Sequence, residues 1–170
     1  QRGRSDGLLL VSTPLTPARA ARLARGHTPV VLVDSYHPDF DSVSVDNRRG
    51  GYEATRHLIE LGHRRIAYLA GPSELLVNKS RRAGYELALQ RAGIELDSSL
   101  VHSADFTLDA GRAAVSWLMG LDGVTGVVAA NDLMALGAIL ATRAAGLKCP
   151  DDVSILGFDG IPAGAFAWPG

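Results

Sequence analysis

Five short apolar runs punctuate the chain, at residues 8–11, 30–33, 66–70, 127–130 and 153–156. Each is nearly continuous rather than alternating, the pattern of a strand buried on both faces of a parallel sheet. Between them lie stretches with helical spacing, each giving one apolar stripe: Ala54, Leu58 and Leu61; Ala110, Ala114 and Trp117; Leu133, Leu136, Leu140 and Ala144. Thr16 before Pro17, and Thr107 before Asp109, read as helix starts. Gly26, Gly62, Gly93 and Gly146 each follow a helical stretch and precede a strand-like run, where a left-handed residue closes a helix. Repeated strand, helix, glycine, strand units predict an α/β architecture of doubly wound parallel sheets, with right-handed crossovers placing helices on both faces. No low-complexity tract or charge block interrupts the pattern, so a boundary between lobes must be a plain crossover.

Composition narrows the function. The 170 residues are 46% hydrophobic, ample for a buried core. Seventeen Lys and Arg against 18 Asp and Glu leave a net charge of −1, whereas a self-sufficient nucleic-acid binder carries a basic excess. This segment is not expected to hold DNA alone. Cys149 is the single cysteine, which excludes an internal disulfide framework and a cysteine-based zinc cage and fits a reducing cytoplasm. No apolar run approaches the roughly 20 residues that cross a bilayer, and the polar start lacks the apolar stretch of a signal peptide. The lack of an initial Met and the end at Trp168-Pro169-Gly170 point to a fragment.

Candidate chemistry sits after the strands, because open α/β sheets bind ligands beyond the carboxyl ends of their strands. Asp34, Asp46-Asn47, Asn131-Asp132 and Asp159 each follow an apolar stretch. Carboxylates and amides in such places engage adjacent hydroxyls or ring nitrogens, the chemistry of sugar-like or nucleobase-like recognition; taken singly, each is equally a helix cap or turn residue. Arg81 is read as opening a helix after the loop 71–79, an awkward place for a cation beside a positive dipole end unless an acceptor offsets it; the alternative is a solvated surface arginine. Phe106 offers either a core ring or a flat face for a ligand. The chain has no phosphate loop, nucleophile elbow, metalloprotease helix or dinucleotide fingerprint. Its five histidines, His27, His37, His57, His63 and His102, lack metal-ligand spacing, and no metal or cofactor is expected.

An ordered series of short motifs adds a further layer. Residues 44–47 with Gly50-Gly51-Tyr52, then 61–72 and Arg81-Arg82-Ala83-Gly84-Tyr85, are followed by Asp105-Phe106, 130–137 and 150–159. At this spacing, over nearly the whole chain, the series resembles the lac/gal repressor (LacI/GalR) family of transcriptional regulators. The resemblance implies a two-lobed fold like that of periplasmic sugar-binding proteins, with an effector cleft between the lobes and a helix-turn-helix headpiece that this chain lacks. Residues 1–62 would form an incomplete N-terminal lobe and 63–170 most of the C-terminal one. Carried over by position, Arg81, Asn131, Asp159 and Asp46 correspond to effector hydrogen-bonding residues and Phe106 to an aromatic that stacks on the ligand ring. The implied partners are a small-molecule effector, operator DNA through the headpiece, and a second copy in a homodimer, with no membrane. Sugar and purine sensors of this type place polar groups where this chain has Leu75 and Val77, and each polar ligand group left unpaired there loses roughly 1–3 kcal/mol. That departure argues against a lactose-like or purine effector.

Two rival readings share the fold. An exported solute-binding protein of a transport system would have the same cleft without a DNA partner, and a metabolic enzyme would use Asp132 or Asp159 as a base.

Overall fold

A computed structural model of the chain describes residues 5–167; the start at residues 1–4 and the Trp168-Pro169-Gly170 end noted above lie outside the described residues. Two parallel sheets follow one another along the chain. The first has three strands in the order β1 (Leu8–Val11), β2 (Val30–Val33), β3 (Asp41–Val43), with α1 (Pro17–Ala24) as the β1–β2 crossover. The second has four, in the order β5 (Val101–Ser103), β4 (Ile66–Ala70), β6 (Gly126–Ala129), β7 (Ser154–Leu156). Helix α2 (Asn47–Glu60) leads from one sheet to the other. In the second unit α3 (Leu76–Arg91) joins β4 to β5, α4 (Leu108–Ala113) and α5 (Val115–Met119) join β5 to β6, and α6 (Asp132–Ala144) joins β6 to β7.

The second sheet carries the core. All five residues of β4 and all four of β6 are buried, as strands covered on both faces must be. Helix α2 pairs with α3 and α4 with α6, and right-handed crossovers place the two pairs on opposite faces of the sheet. From β4 the chain steps outward to β5, then crosses back over β4 to reach β6. The winding therefore reverses between β4 and β6, which opens a crevice at their carboxyl ends.

Helix contacts of unusual closeness hold this arrangement. A Cβ on Gly51 would overlap the Arg81 carbonyl, and one on Gly84 the Arg48 carbonyl and the Tyr52 amide nitrogen. The α2–α3 crossing is thus backbone against backbone, and it carries α2 into the core of the second sheet, where Leu58 is buried with Tyr68, Tyr85 and Leu89. Packing thus joins α2 to the second sheet, and the β3–α2 connection, residues 44–46, runs between the two sheets.

The remaining expectations fared unevenly. Thr16 and Thr107 cap their helices, accepting from the Arg19 and Ala110 amides. Gly62, Gly93 and Gly146 adopt positive φ. Gly26 does not: α1 ends on Arg25 in a right-handed conformation, and the Gly26 amide simply bonds back to Leu23. The stripe expected on α6 is rotated. Its buried face is Met134, Ala135, Ala138, Ile139 and Thr142, while Leu133 and Leu140 are 39% and 51% exposed. The cause is again close packing, since Gly137 meets the Leu108 carbonyl and Gly111 the Met134 backbone, leaving no room for leucines at that crossing. The first sheet is thinly covered, with Leu9, Val11 and Val43 exposed on one face.

Two stability predictions follow from this packing. Gly84→Ala should lower unfolding free energy in urea by about 1–3 kcal/mol, because α2 and α3 must part, whereas Gly164→Ala, with open space around its Cβ, should stay within about 0.5 kcal/mol. Tyr85 donates its hydroxyl to the Ile66 carbonyl at 2.9 Å, and burial pushes its phenol up to about 12, so it remains a donor at neutral pH. The equally buried Tyr68 hydroxyl has no hydrogen-bond partner among the described residues. Tyr85→Phe should therefore destabilise by about 1 kcal/mol and Tyr68→Phe should not; equal losses would contradict the bonding pattern.

Candidate functional site

Arg81 lies in the second turn of α3, five residues inside the helix rather than at its opening. The buried positions of this helix, Val77, Asn78, Arg81, Gly84, Tyr85, Ala88 and Leu89, follow one face, so helical register alone turns Arg81 inward, where it is 7% exposed. A guanidinium kept from water must find acceptors within the protein. Its Nε donates to Asn47 Oδ1 at 2.8 Å, Nη1 to the Ala130 carbonyl at 2.6 Å, and Nη2 to Asp159 Oδ1 at 3.0 Å. Its plane lies 3.7 Å over the Phe158 ring, a favourable cation–π contact. The other edge of that ring fills the space beside Gly50, where a Cβ would overlap it.

Every partner comes from a strand end or the helix start beside it. Ala130 follows β6, Phe158 and Asp159 follow β7, and Asn47 opens α2. Asp159 has a φ of 110°, a region that a side-chain-bearing residue enters only under strain. Burial pushes its carboxyl above the usual carboxylate range; Arg81 opposes this, and the charges of Asp132 and Asp34 add to it. Asn47 extends the network, its Nδ2 donating to Asp34 Oδ1 at 3.1 Å and to the Val45 carbonyl at 3.3 Å.

The residues singled out from the sequence divide into those this network gathers and those it does not. Arg81 and Asp159 are in direct contact. Asn131 is next to Ala130 and caps α6, its Oδ1 accepting from the Met134 amide at 3.0 Å, while its Nδ2 donates to the Phe106 carbonyl at 3.4 Å. The half-buried Phe106 ring lies against Gly71 at the end of β4, a contact that a Cβ at position 71 would forbid. Asp46 stands apart. It is exposed, its carboxylate capping α2 through the Arg49 amide at 2.9 Å, and it joins the network only through its chain neighbour. Asp132 ties the last turn of the chain down by accepting from the Ile161 amide at 2.7 Å.

Sequence reasoning named Asn47 only within the strand-end pair Asp46-Asn47, without a place in the site, and passed over Phe158. A signal for Asn47 existed: counting back from Leu58 through Thr55 and Gly51 along the buried face of α2 arrives at Asn47, so a polar residue heads an otherwise enclosed stripe. Phe158 had no such mark beyond its adjacency to Asp159. Beside the network a pocket of about 140 Å³ opens between Asp34, Asp46 and Asn47 on one side and Leu76, Val77 and Ser80 on the other. Val77 is buried, so the apolar departure noted above forms part of a real wall. Among the described residues, no group of three His, Cys, Asp or Glu converges as metal ligands, and no helix is long and apolar enough to cross a membrane.

Comparison with known proteins places this geometry. Residues 55–169 match the periplasmic binding protein-like domain family. The chain is 36% identical over 167 residues to the HTH-type transcriptional repressor CytR of Escherichia coli K12, covering 96% of this chain and 49% of that protein. It is 44% identical over 128 residues to the HTH-type transcriptional regulator CelR of Thermobifida fusca, covering 75% and 38%. Among solved structures, a transcriptional regulator CelR–cellobiose complex superposes with a TM-score of 0.89 at 38% identity, over 96% of this chain and 52% of that one. The transcription regulator CcpA of Lactococcus lactis does so with 0.87 at 31% identity, over 96% and 61%. The chain spans about half the length of the curated relatives it matches. With parallel sheets, a switch-point crevice and residues 55–169 matching its model, the chain belongs to the periplasmic binding protein-like domain family, and the relatives it resembles are named as HTH-type and LacI-family transcriptional regulators.

Proposed function

We propose that this chain is the effector-binding core of a LacI-type transcriptional regulator, sensing a small, sugar-like metabolite and governing DNA binding by a helix-turn-helix headpiece outside it. The observation that carries this reading is the buried Arg81 at the switch point, held between acceptors from separate strand ends. A polyhydroxylated ligand suits that arrangement. One of its hydroxyls accepts from Arg81 and donates to Asp159, entering between two groups that otherwise satisfy each other, while the face of Phe106 packs on its ring. Asn131, held by its cap and by the Phe106 carbonyl, contributes an amide at the rim. Asp46, exposed beside the pocket, is a peripheral contact.

The solved relative named as a cellobiose complex supports a sugar as the ligand class, and the relatives' names as HTH-type regulators support the DNA partner. A net charge of −1 agrees with DNA contact lying in the headpiece. The two lobes meet at residues 44–46, and the effector acts by favouring one lobe arrangement over the other, since only differential affinity shifts such an equilibrium. The working form is a cytoplasmic homodimer, which sets the spacing of two headpieces. Catalysis is not part of the reading: Asp159 and Asp132, the carboxylates a catalytic site would use as base, are engaged by Arg81 and the Ile161 amide. The transport reading is not favoured by relatives that are transcriptional regulators.

A thermal-shift panel of sugars, sugar acids, polyols and nucleosides tests the proposal. A ligand at about 100 times its Kd stabilises by about 2.7 kcal/mol. Asn131→Ala and Arg81→Lys, the latter keeping the charge but losing the planar fork, should abolish that shift. A full response in both variants would remove these residues from the site. Affinity should also depend on pH. A ligand hydroxyl that donates to the Asp159 carboxylate requires it ionised, and its pKa is raised, so binding should weaken as pH falls and begin to do so above the ordinary carboxylate range. Calorimetric affinities that stay level from neutral pH down to that range would contradict the assignment.

A further inference from the structure

Asn47 has a place in the network that a ligand contact would not explain. It is 5% exposed, and both ends of its amide are committed. The oxygen accepts from Arg81 Nε at 2.8 Å, and the nitrogen donates to Asp34 Oδ1 at 3.1 Å. A guanidinium offers only donors and an ionised carboxylate only acceptors, so the amide orientation is dictated by its neighbours. The group that bridges them must accept on one side and donate on the other.

The two ends of this bridge belong to different sheets. Arg81 is on α3, packed on the second sheet, and Asp34 ends β2 of the first. Asp34 is itself in the left-handed region, with φ 51°, and its amide donates to the Val43 carbonyl at 2.9 Å, so its backbone is tied into the β2–β3 pair. A displacement of Asp34 therefore moves strands and not only a side chain. Asn47 adjoins the packing boundary at residues 44–46, and the α2–α3 backbone contact at Gly51 and Gly84 removes the slack by which Asn47 and Arg81 would otherwise slide apart.

We propose that Asn47 is a positioning residue that sets the orientation of the first sheet on the second by carrying a hydrogen-bonded bridge from Arg81 to Asp34. Occupancy of the site is felt at Arg81, and Asn47 passes it across the lobe boundary. The meaning of the bridge rests on the effector reading above, but its test does not, because the distance readout needs no ligand.

The test is a distance measurement by pulsed electron paramagnetic resonance on the full chain, with Cys149→Ser and spin labels at Arg25 and Gln90, both exposed, the first just after α1 and the second on α3. Asn47→Asp sets two carboxylates against each other and should replace a narrow distance distribution by a shifted or broadened one. Adding Asp34→Asn reverses donor and acceptor within the bridge and should restore the narrow distribution and the melting temperature, since Asn tolerates the left-handed backbone at position 34. Arg56→Ala removes ion pairs with Glu53 and Glu60 on the exposed face of α2 without touching the bridge and should leave the distribution as in the parent. The proposal is overturned by a parent-like distribution in Asn47→Asp, by a double variant as broad as the single one, or by equal broadening in Arg56→Ala. The ligand panel with Arg81→Lys reports separately on the effector reading, so the two failures are distinguishable.

Discussion

A guanidinium shut away from water is the constraint around which this molecule is arranged. Helical register turns Arg81 inward on α3, and once there it must be met by acceptors or the fold loses several kcal/mol. The chain supplies them from three directions: an amide from the start of α2, a backbone carbonyl at the end of β6 and a carboxylate beyond β7. The reversal of winding between β4 and β6 brings these ends together, and the bare glycine faces of α2 and α3 bring the helices close enough for the bonds to form. Fold and site are thus one problem. The same contacts that satisfy the buried charge gather polar groups at the strand ends beside the crevice.

The balance at the site is electrostatic as much as geometric. Burial raises the Asp159 carboxyl despite its contact with Arg81, with Asp132 and Asp34 adding to the effect, and its backbone occupies a strained region. Both conditions cost free energy and persist only because the surrounding packing holds them. On the proposed reading, a ligand hydroxyl that donates to Asp159 while accepting from Arg81 would turn a tense internal pair into a bridged one, beside the apolar lining of Leu76 and Val77.

Strands β4 and β6 were legible in the sequence because burial on both faces leaves an unbroken apolar run, whereas β1 carries a run of the same kind although Leu8, Leu9 and Val11 are exposed. The strands at 8–11, 30–33 and 66–70 were located to the residue, and β6 and β7 to within one. Strands β3 and β5 were not seen: each has three residues and lies at a sheet edge, and their Asp41-Ser42-Val43 and Val101-His102-Ser103 carry no continuous apolar signal. The α6 face was misjudged because leucine counts as the stronger hydrophobic signal, while a crossing at van der Waals contact of backbones selects alanine and glycine. At the site, strand-end polarity pointed to Asn131 and Asp159, and the motif series raised Arg81 and Phe106, although Arg81 lies inside α3 and not at its opening. Asp46 stood in for Asn47 because adjacent residues in a helix start point in different directions, which a sequence shows only when the buried stripe is traced back to its first member.

The glycine crossings have a mechanical corollary. Where Gly51 and Gly84 lay two helix backbones directly on each other, and Gly111 and Gly137 do the same on the opposite face, there are no interposed side chains whose rotamers can change to absorb a displacement. Packed interiors are stiff, and these junctions are stiffer than most. The four-stranded unit should therefore resist shear like an anvil, so that a displacement at its crevice is carried to the β3–α2 connection, which among the described residues is the covalent link to the smaller sheet.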